Sequence, residues 1–150
     1  MTLDENKLDE TATHIAPYIL SIARVVIALM FMEHGTSKLF GFPAPTGTPD
    51  PFTLLWFAAI IEIVGGALLA LGLWTRLAAF IMSGEMAIGY FMSHAPHGFF
   101  PIANRGDAAA LYCLIFLYFA FAGGGPWTIA TLFGKRVKEE PRWHSARAAR

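Results

Sequence analysis

Apolar residues along this chain fall into four runs, at 18–32, 52–74, 77–92 and 108–122. Polar residues, prolines or glycines bound each run. A helix that crosses a bilayer takes about 20 apolar residues, and a shorter one can use its polar flanks or thin the bilayer locally. The pattern therefore predicts an all-α protein, an integral membrane bundle of four transmembrane helices.

The breaks between the runs are typical of loops. Segment 41–51 contains four prolines and two glycines, which a continuous helix does not tolerate, so the first helix is expected to extend as far as Phe40. Thr75 and Arg76 form a very short turn, and 93–107 reads as a polar loop. A chain of this length allows one domain, within which these breaks separate the four helices.

Composition supports a membrane environment. Hydrophobic residues make up 55% of the chain and charged residues 15%, against roughly 25% charged in soluble domains. The formal net charge is zero, which argues against a nucleic-acid partner because such proteins need a clustered basic surface. A single cysteine excludes a disulfide framework within the chain. We therefore expect the lipid bilayer, and no nucleic acid, as a partner.

Charge along the chain predicts its organisation. We expect a polar acidic N-terminal segment at 1–16, a four-span membrane domain at 17–134 and a basic tail at 135–150. Lys and Arg collect on the cytoplasmic side of membranes, so the tail is expected in the cytoplasm, and four spans place the N-terminus there too. The acidic start differs from a cleaved signal, which begins with basic residues. This predicts a multi-pass protein of a bacterial inner (plasma) membrane.

Three ionisable residues lie within the apolar runs. They are Arg24, Glu62 and Glu85, and helical rise places the two carboxylates about 13–15 Å into their spans, near the midplane. Charges at that depth are costly and usually face a protein interior or a cavity. The functional interpretation is an Arg24–Glu62–Glu85 cluster that holds or positions a proton, with these three as candidate catalytic residues. The alternative is a buried ion pair that only fixes helix packing.

A second polar group is expected at the outer surface. It could hold a quinone head group or an anionic solute, with the candidate ligand-binding residues His34, Lys38, His94, Asn104 and Asp107. Imidazole is a common metal ligand, so His34, His94 and His97 are also considered as metal ligands, although their spacing is not diagnostic. The alternative is that these are ordinary interfacial histidines.

Four motifs in order give the chain a family likeness. It resembles the DoxX family of small bacterial membrane proteins over about 19–127, on the motifs Phe31-x-x-His34-Gly35-x-x-Lys38-Leu39, Ile61–Gly66, Gly72–Ala79 and His94…Asn104-Arg105-Gly106-Asp107. The family pattern usually has Glu where Asp107 stands, and often Ser-Leu-Asp after the last glycine turn, which this chain lacks. Asp107 keeps the charge with a shorter reach.

The resemblance implies a four-helix membrane bundle and a link to membrane redox chemistry. Relatives resemble the small membrane subunit of thiosulfate:quinone oxidoreductase. The first hypothesis is therefore a subunit or partner of a membrane-associated oxidoreductase that uses quinone or sulfur and thiol redox chemistry in response to oxidative stress. The chain holds no motif for a bound cofactor, so a quinone or a partner protein would supply the redox centre.

Two other hypotheses stay open. The chain could be a small-solute or proton-linked transporter, which would need a homo-oligomer because four spans are few for alternating access. It could also be a scaffold or assembly protein with no chemistry of its own, so whether it is an enzyme is left open. A sealed and fully paired charge cluster favours the scaffold, whereas an open cavity that reaches His34 or His94 favours a ligand site.

Overall fold

Helices form every regular element in the part of the chain that the structure describes, residues 5–133 of a computed structural model. The elements are α1 Glu5–Phe40, α2 Leu54–Leu71, α3 Thr75–Gly89, α4 Pro101–Asn104, α5 Asp107–Ala122 and α6 Ile129–Leu132. A π-helical turn, Tyr90–His94, and a 3-10 turn, Ala95–His97, continue α3. The all-α prediction is confirmed for these residues. The basic tail at 135–150 and the first four residues of the acidic segment lie outside them.

Within residues 5–133, two helices are long and apolar enough to cross a membrane. They are the Lys7–Phe40 part of α1 and the whole of α2. Helix α5 is equally apolar but has 16 residues, and α3 has 15 before its π-helical continuation. Length and composition therefore mark two spanning helices, and the count of four spans stays a prediction.

Helix α1 is longer than the apolar run within it. It begins at Glu5 and continues through Pro17 to Phe40, the predicted last residue. Residues 7–16 are exposed, and the helix extends about 18 Å before Pro17. The expected change of character at 16–17 is therefore a change of polarity along one helix and not a break in it.

Glycines bring the helices into close contact. A Cβ on Gly35 of α1 would lie 2.7 Å from the Ala59 carbonyl oxygen of α2, and one on Gly66 of α2 would lie 3.1 Å from the Ala28 carbonyl oxygen of α1. The later residue of α1 meets the earlier residue of α2 in these contacts, so α1 and α2 run antiparallel. Small residues at such positions allow backbones in lipid to approach closely.

The core is small and aromatic. Phe31 of α1 contacts Phe116 of α5 edge-on, with ring centroids 4.6 Å apart, and so links the α1–α2 pair to the α3–α5 pair. The other buried apolar residues are Ala28, Ala59, Leu69, Ala78, Ala79, Met82 and Phe119. Large apolar side chains instead cover the outside of all four longer helices, for example Ile22, Leu55, Phe80 and Leu114. Such an exterior is stable against lipid and not against water.

The segment 93–107 contains more helix than its sequence predicts. The 3-10 turn and α4 both fall within it, although its prolines and polar residues are typical of a loop. The buried Asn104 side chain explains this order, since its Nδ2 donates to the Gly98 carbonyl oxygen at 2.8 Å and its Oδ1 accepts from Gly106 N–H at 2.8 Å. A side-chain amide thus supplies the hydrogen bonds that a regular element would supply.

The Gly35 contact predicts a large effect of a side chain there. We expect Gly35→Leu to lower the free energy of unfolding by about 1–3 kcal/mol, because the new side chain must push α1 from α2. Gly84→Leu is the matched control, since a Cβ on Gly84 of α3 meets nothing within 4 Å. Thermal unfolding midpoints of the two variants in detergent check this, and equal midpoints would contradict the close contact.

Candidate functional site

Arg24 is buried at the end of α2. Its guanidinium donates to backbone carbonyl oxygens of two segments. Nη1 donates to Leu69 and Ala70 of α2, and after α5 Nε donates to Gly124 at 2.9 Å and Nη2 to Trp127. Two of these carbonyls belong to the last turn of α2, at the negative end of the helix dipole, and the Leu69 carbonyl oxygen also accepts from Gly72 N–H at 3.1 Å. Arg24 therefore ties α1 to the end of α2 and to the segment after α5.

The expected Arg24–Glu62–Glu85 cluster is corrected by this arrangement. Leu69, which accepts from Arg24, lies about 10 Å along α2 from Glu62. A guanidinium carries five N–H donors, and carbonyls at a helix end and in irregular backbone accept four hydrogen bonds from Arg24. Arg24 therefore holds segments of the backbone together, and a different cation pairs with the buried carboxylate of Glu62.

That cation is Lys38. Its Nζ lies 2.6 Å from Oε1 of Glu62, and the two side chains are 21% and 2% exposed. Long side chains on a helix lean toward its N-terminus. Lys38 on α1 and Glu62 on the antiparallel α2 therefore lean toward each other, and Gly35, one turn before Lys38, lets the two backbones come near enough for contact. The ion pair follows from the helix packing.

Glu85 lies at the same level as Glu62. A Cβ on Gly65 of α2 would lie 2.8 Å from Sδ of Met82 on α3, which fixes the register of these two helices. Because they run antiparallel, Glu62, three residues before Gly65, and Glu85, three residues after Met82, lie on the same side of that contact. The two carboxylates are accordingly within electrostatic range of each other, as are Glu85 and Lys38.

The buried carboxylates are incompletely paired. Within residues 5–133, the buried side-chain oxygens that lack a hydrogen-bond partner are Oε2 of Glu62 and both oxygens of Glu85. Buried polar groups in proteins are normally hydrogen-bonded, and a buried charge that is unpaired is costly. Three such oxygens in one place therefore distinguish this cluster from a simple packing ion pair.

An open cleft of about 340 Å³ adjoins Lys38. It lies between the end of α1 and the loop that follows, and its lining residues are Glu33, His34, Ser37, Lys38, Pro43, Ala44 and Thr46. His34 also contacts the ring of Tyr112 on α5 edge-on, with centroids 5.7 Å apart, and interacts electrostatically with Glu62. Lys38 thus lies between an accessible cleft and the buried carboxylates.

The predicted outer-surface group is divided in the structure. His34 and Lys38 lie together at the cleft, whereas His94 and Asn104 pair elsewhere, with His94 Nδ1 3.1 Å from the Asn104 carbonyl oxygen. The His94 ring also stacks on Tyr90. The hydrogen bonds of His94 and Asn104 fix the segment between α3 and α5, so these two residues have a structural role there.

Asp107 and His97 are exposed and occupy other positions. Asp107 is the first residue of α5, where a carboxylate interacts favourably with the helix dipole. His97 ends the 3-10 turn. In the described residues no three His, Cys, Asp or Glu side chains gather as metal ligands, so His34, His94 and His97 do not form the metal site that was considered.

Sequence reasoning missed two residues of the cleft, Glu33 and Ser37. Glu33 lies opposite Arg24 on the helical wheel, so a search that starts from the Arg24 face does not include it. The cleft, however, lies between α1 and its following loop and not on the Arg24 face. Glu33 and Ser37 are one turn apart, and this spacing is the signal that could have placed them together.

Comparison with known families agrees with this architecture. The sequence profile of the DoxX family matches residues 19–95. The chain belongs to the DoxX family. An uncharacterized protein of Haemophilus influenzae is 51% identical over 128 residues, which are 80% of this DoxX chain and 94% of that protein.

Two further relatives are described as membrane proteins. An uncharacterized membrane protein of Mycobacterium tuberculosis is 30% identical over 142 residues, 81% of this chain and 84% of that protein. Inner membrane protein YphA of Escherichia coli is 32% identical over 84 residues, 49% of this chain and 60% of that protein. No solved structure matches the chain significantly. This DoxX chain is therefore a bacterial-type membrane protein, as its apolar exterior also indicates.

The Lys38–Glu62 pair predicts strong coupling between the two residues. Lys38→Met is expected to lower the free energy of unfolding by about 3–5 kcal/mol, because it leaves a buried carboxylate without its cation. Adding Glu62→Gln should restore most of that loss, because the second change removes the charge. Thermal unfolding of the wild type, both single variants and the double variant measures this coupling, and strictly additive losses would show that the pair is not energetically linked.

Proposed function

We propose that the chain crosses the membrane four times, with both termini on the cytoplasmic side. Helix α3 and its continuation to His97 together reach about 30 Å, which supports a third span. The apolar α5 supports a fourth. Arg76 at the start of α3 donates to the Phe121 carbonyl oxygen at 2.6 Å, so the ends of α3 and α5 meet near a basic residue, as the positive-inside rule favours.

Cysteine labelling tests this topology. In a Cys113→Ala background, a cysteine introduced at Thr46 is expected to react with a membrane-impermeant maleimide added to intact spheroplasts. A cysteine introduced at Trp74, at the opposite end of α2, should react only after permeabilisation. Reaction of both, or of Trp74 alone, in intact spheroplasts would contradict four spans in this orientation.

We propose that this DoxX protein is a subunit or partner of a membrane-bound oxidoreductase and that Lys38, Glu62 and Glu85 handle a proton for it. The observation that carries the proposal is that the buried carboxylates of Glu62 and Glu85, beside an open cleft, have oxygens without a hydrogen-bond partner. One ammonium beside two carboxylates leaves one negative charge in excess, and a proton held by the carboxyl groups neutralises it. Buried groups that titrate as a coupled set are suited to taking up and releasing a proton.

The cleft fits a quinone head group. His34, Ser37 and Lys38 offer hydrogen-bond donors for carbonyl oxygens, and Pro43 and Ala44 offer an apolar wall. A quinone supplies two-electron, two-proton redox chemistry when bound. The contribution of this chain is to hold the head group at the cleft and to keep a proton at the oxygens of Glu62 and Glu85, behind the Lys38 ammonium.

Proton-linked transport of a small solute is the second candidate function. The observation in its favour is that the cleft opens next to the charge cluster, so that a bound solute and a proton would be neighbours. A purely scaffolding role is less well supported, because a packing device needs no open cleft and no unpaired carboxylate oxygens.

A redox assay tests the first function. Membranes of a deletion strain are expected to lose quinone reduction with thiol or thiosulfate donors, and the wild-type gene should restore it. Glu62→Gln and Glu85→Gln should each lower the restored rate at least tenfold at normal protein abundance, because amides cannot hold the proton. Glu10→Gln, on the exposed start of α1, is the matched control and should restore the full rate.

The remaining outcomes separate the rival functions. An unchanged redox rate on deletion contradicts the oxidoreductase proposal. Uptake of a solute driven by a pH gradient in proteoliposomes, in the absence of any redox effect, would favour transport instead. Loss of abundance in both glutamine variants, without a change in rate per protein molecule, would favour a scaffold.

A further inference from the structure

We propose that the cleft beside Lys38 binds a small monocarboxylate and that binding is coupled to uptake of one proton by Glu62. This inference rests on the proposed proton-handling role of the cluster and names a second ligand class, which would occupy the same cleft as the quinone head group and exclude it, with a coupling rule for its binding. The observation that carries it is that Lys38 both lines the open cleft and contacts the buried carboxylate of Glu62.

The lining of the cleft defines the ligand. Lys38 is the cation that lines it, which suits a single negative charge. The Ser37 hydroxyl and the His34 ring can bind the second oxygen of a carboxylate. Pro43 and Ala44 provide contact for a short apolar body, and about 340 Å³ is ample for one aromatic or aliphatic ring system. A small carboxylate with an apolar body fits these groups better than a multiply charged oxyanion.

The Lys38–Glu62 pair defines the coupling. The Lys38 ammonium touches Oε1 of Glu62 at 2.6 Å while the same side chain is 21% exposed toward the cleft. Three N–H donors allow Lys38 to contact a bound carboxylate as well, but its one positive charge cannot balance two negative ones. Glu62 is 2% exposed, so an uncompensated charge on it is costly. Protonation of Glu62 removes that charge.

The net charge of the site is then the same in both states. Without ligand, the Lys38 ammonium balances the Glu62 carboxylate, and Glu85 holds the proton that the proposed function assigns to the cluster. With ligand, Lys38 balances the bound carboxylate, and both Glu62 and Glu85 are protonated. One proton enters from solution for each carboxylate bound, and the buried cluster stays neutral throughout.

Other titratable groups near Glu62 must be separated from it. His34 on α1 interacts with Glu62, and Glu85 on α3 is the neighbouring carboxyl group. Glu33 lines the cleft and is exposed, and Tyr112 on α5 contacts His34. Protonation of His34 would also favour an anion at low pH, so the test needs variants that remove each group in turn.

Calorimetry with benzoate tests the inference on the full-length protein in detergent. Titration in two buffers with different ionisation enthalpies gives the number of protons taken up, which is expected to be close to one per benzoate. The apparent affinity should rise as pH falls, by up to tenfold per pH unit, because a bound proton accompanies the ligand. Benzamide, the neutral analogue, should bind without proton uptake.

The variants assign the roles. The double variant Glu62→Gln with Glu85→Gln leaves Lys38 without either carboxyl group of the cluster, and is expected to bind benzoate at least tenfold more tightly and without proton uptake. His34→Gln, Glu85→Gln and the exposed Glu33→Gln should each retain uptake of a proton. Lys38→Met should lose binding, and Lys38→Arg should keep it, which shows that lost binding reflects lost charge and not lost fold.

Several outcomes would overturn the inference. Absence of benzoate binding to the wild type, binding without proton uptake, or uptake that disappears in His34→Gln but persists in the double variant would each contradict it. The redox assay stands apart from these results. A redox effect of Glu62→Gln without benzoate binding would leave the proposed function in place, whereas proton-coupled binding without any redox effect would leave only the inference.

Discussion

The buried Arg24 guanidinium is the interaction on which the arrangement of the helices depends. It gathers carbonyl oxygens from the last turn of α2 and from the segment after α5, so three parts of the chain share one cation. Carbonyls at the end of a helix have no intrahelical partner and are costly to leave unsatisfied away from water. Arg76 acts similarly at the end of α5, where it donates to the Phe121 carbonyl oxygen. Two arginines thus satisfy the backbone at this end of the molecule.

At the opposite end of α1 and α2, the charged side chains have a different kind of partner. Near the loop at 41–53, Lys38 and Glu62 pair through their side chains, while Oε2 of Glu62 and both oxygens of Glu85 have no hydrogen-bond partner. An ion pair between side chains can exchange partners or take up a proton, whereas a guanidinium held by several carbonyls has a fixed geometry. Helix α1 carries both cations: Arg24, which backbone carbonyls hold in place, and Lys38, which pairs with a side chain.

The sequence predicted the helical class and the burial of Arg24 and Glu62, because both follow from the apolar runs in which these residues lie. It did not predict which cation meets Glu62. Helical-wheel angles place residues on one helix only, and the choice between Arg24 and Lys38 depended on the register between α1 and α2, which Gly35 and Gly66 set through close contact. The order within 93–107 was missed for a related reason, since it depends on one buried amide, Asn104.

The Gly35 contact also has a consequence for how this sequence can change over time. Gly35 and Lys38 lie one turn apart on α1, so the contact that sets the backbone spacing also sets the position of the ammonium. One residue inserted or deleted between them would rotate Lys38 by about 100° and take it away from Glu62. A change in the length of this turn would therefore break the ion pair even if every residue kept its identity, so α1 tolerates insertions and deletions in its projecting start and not here.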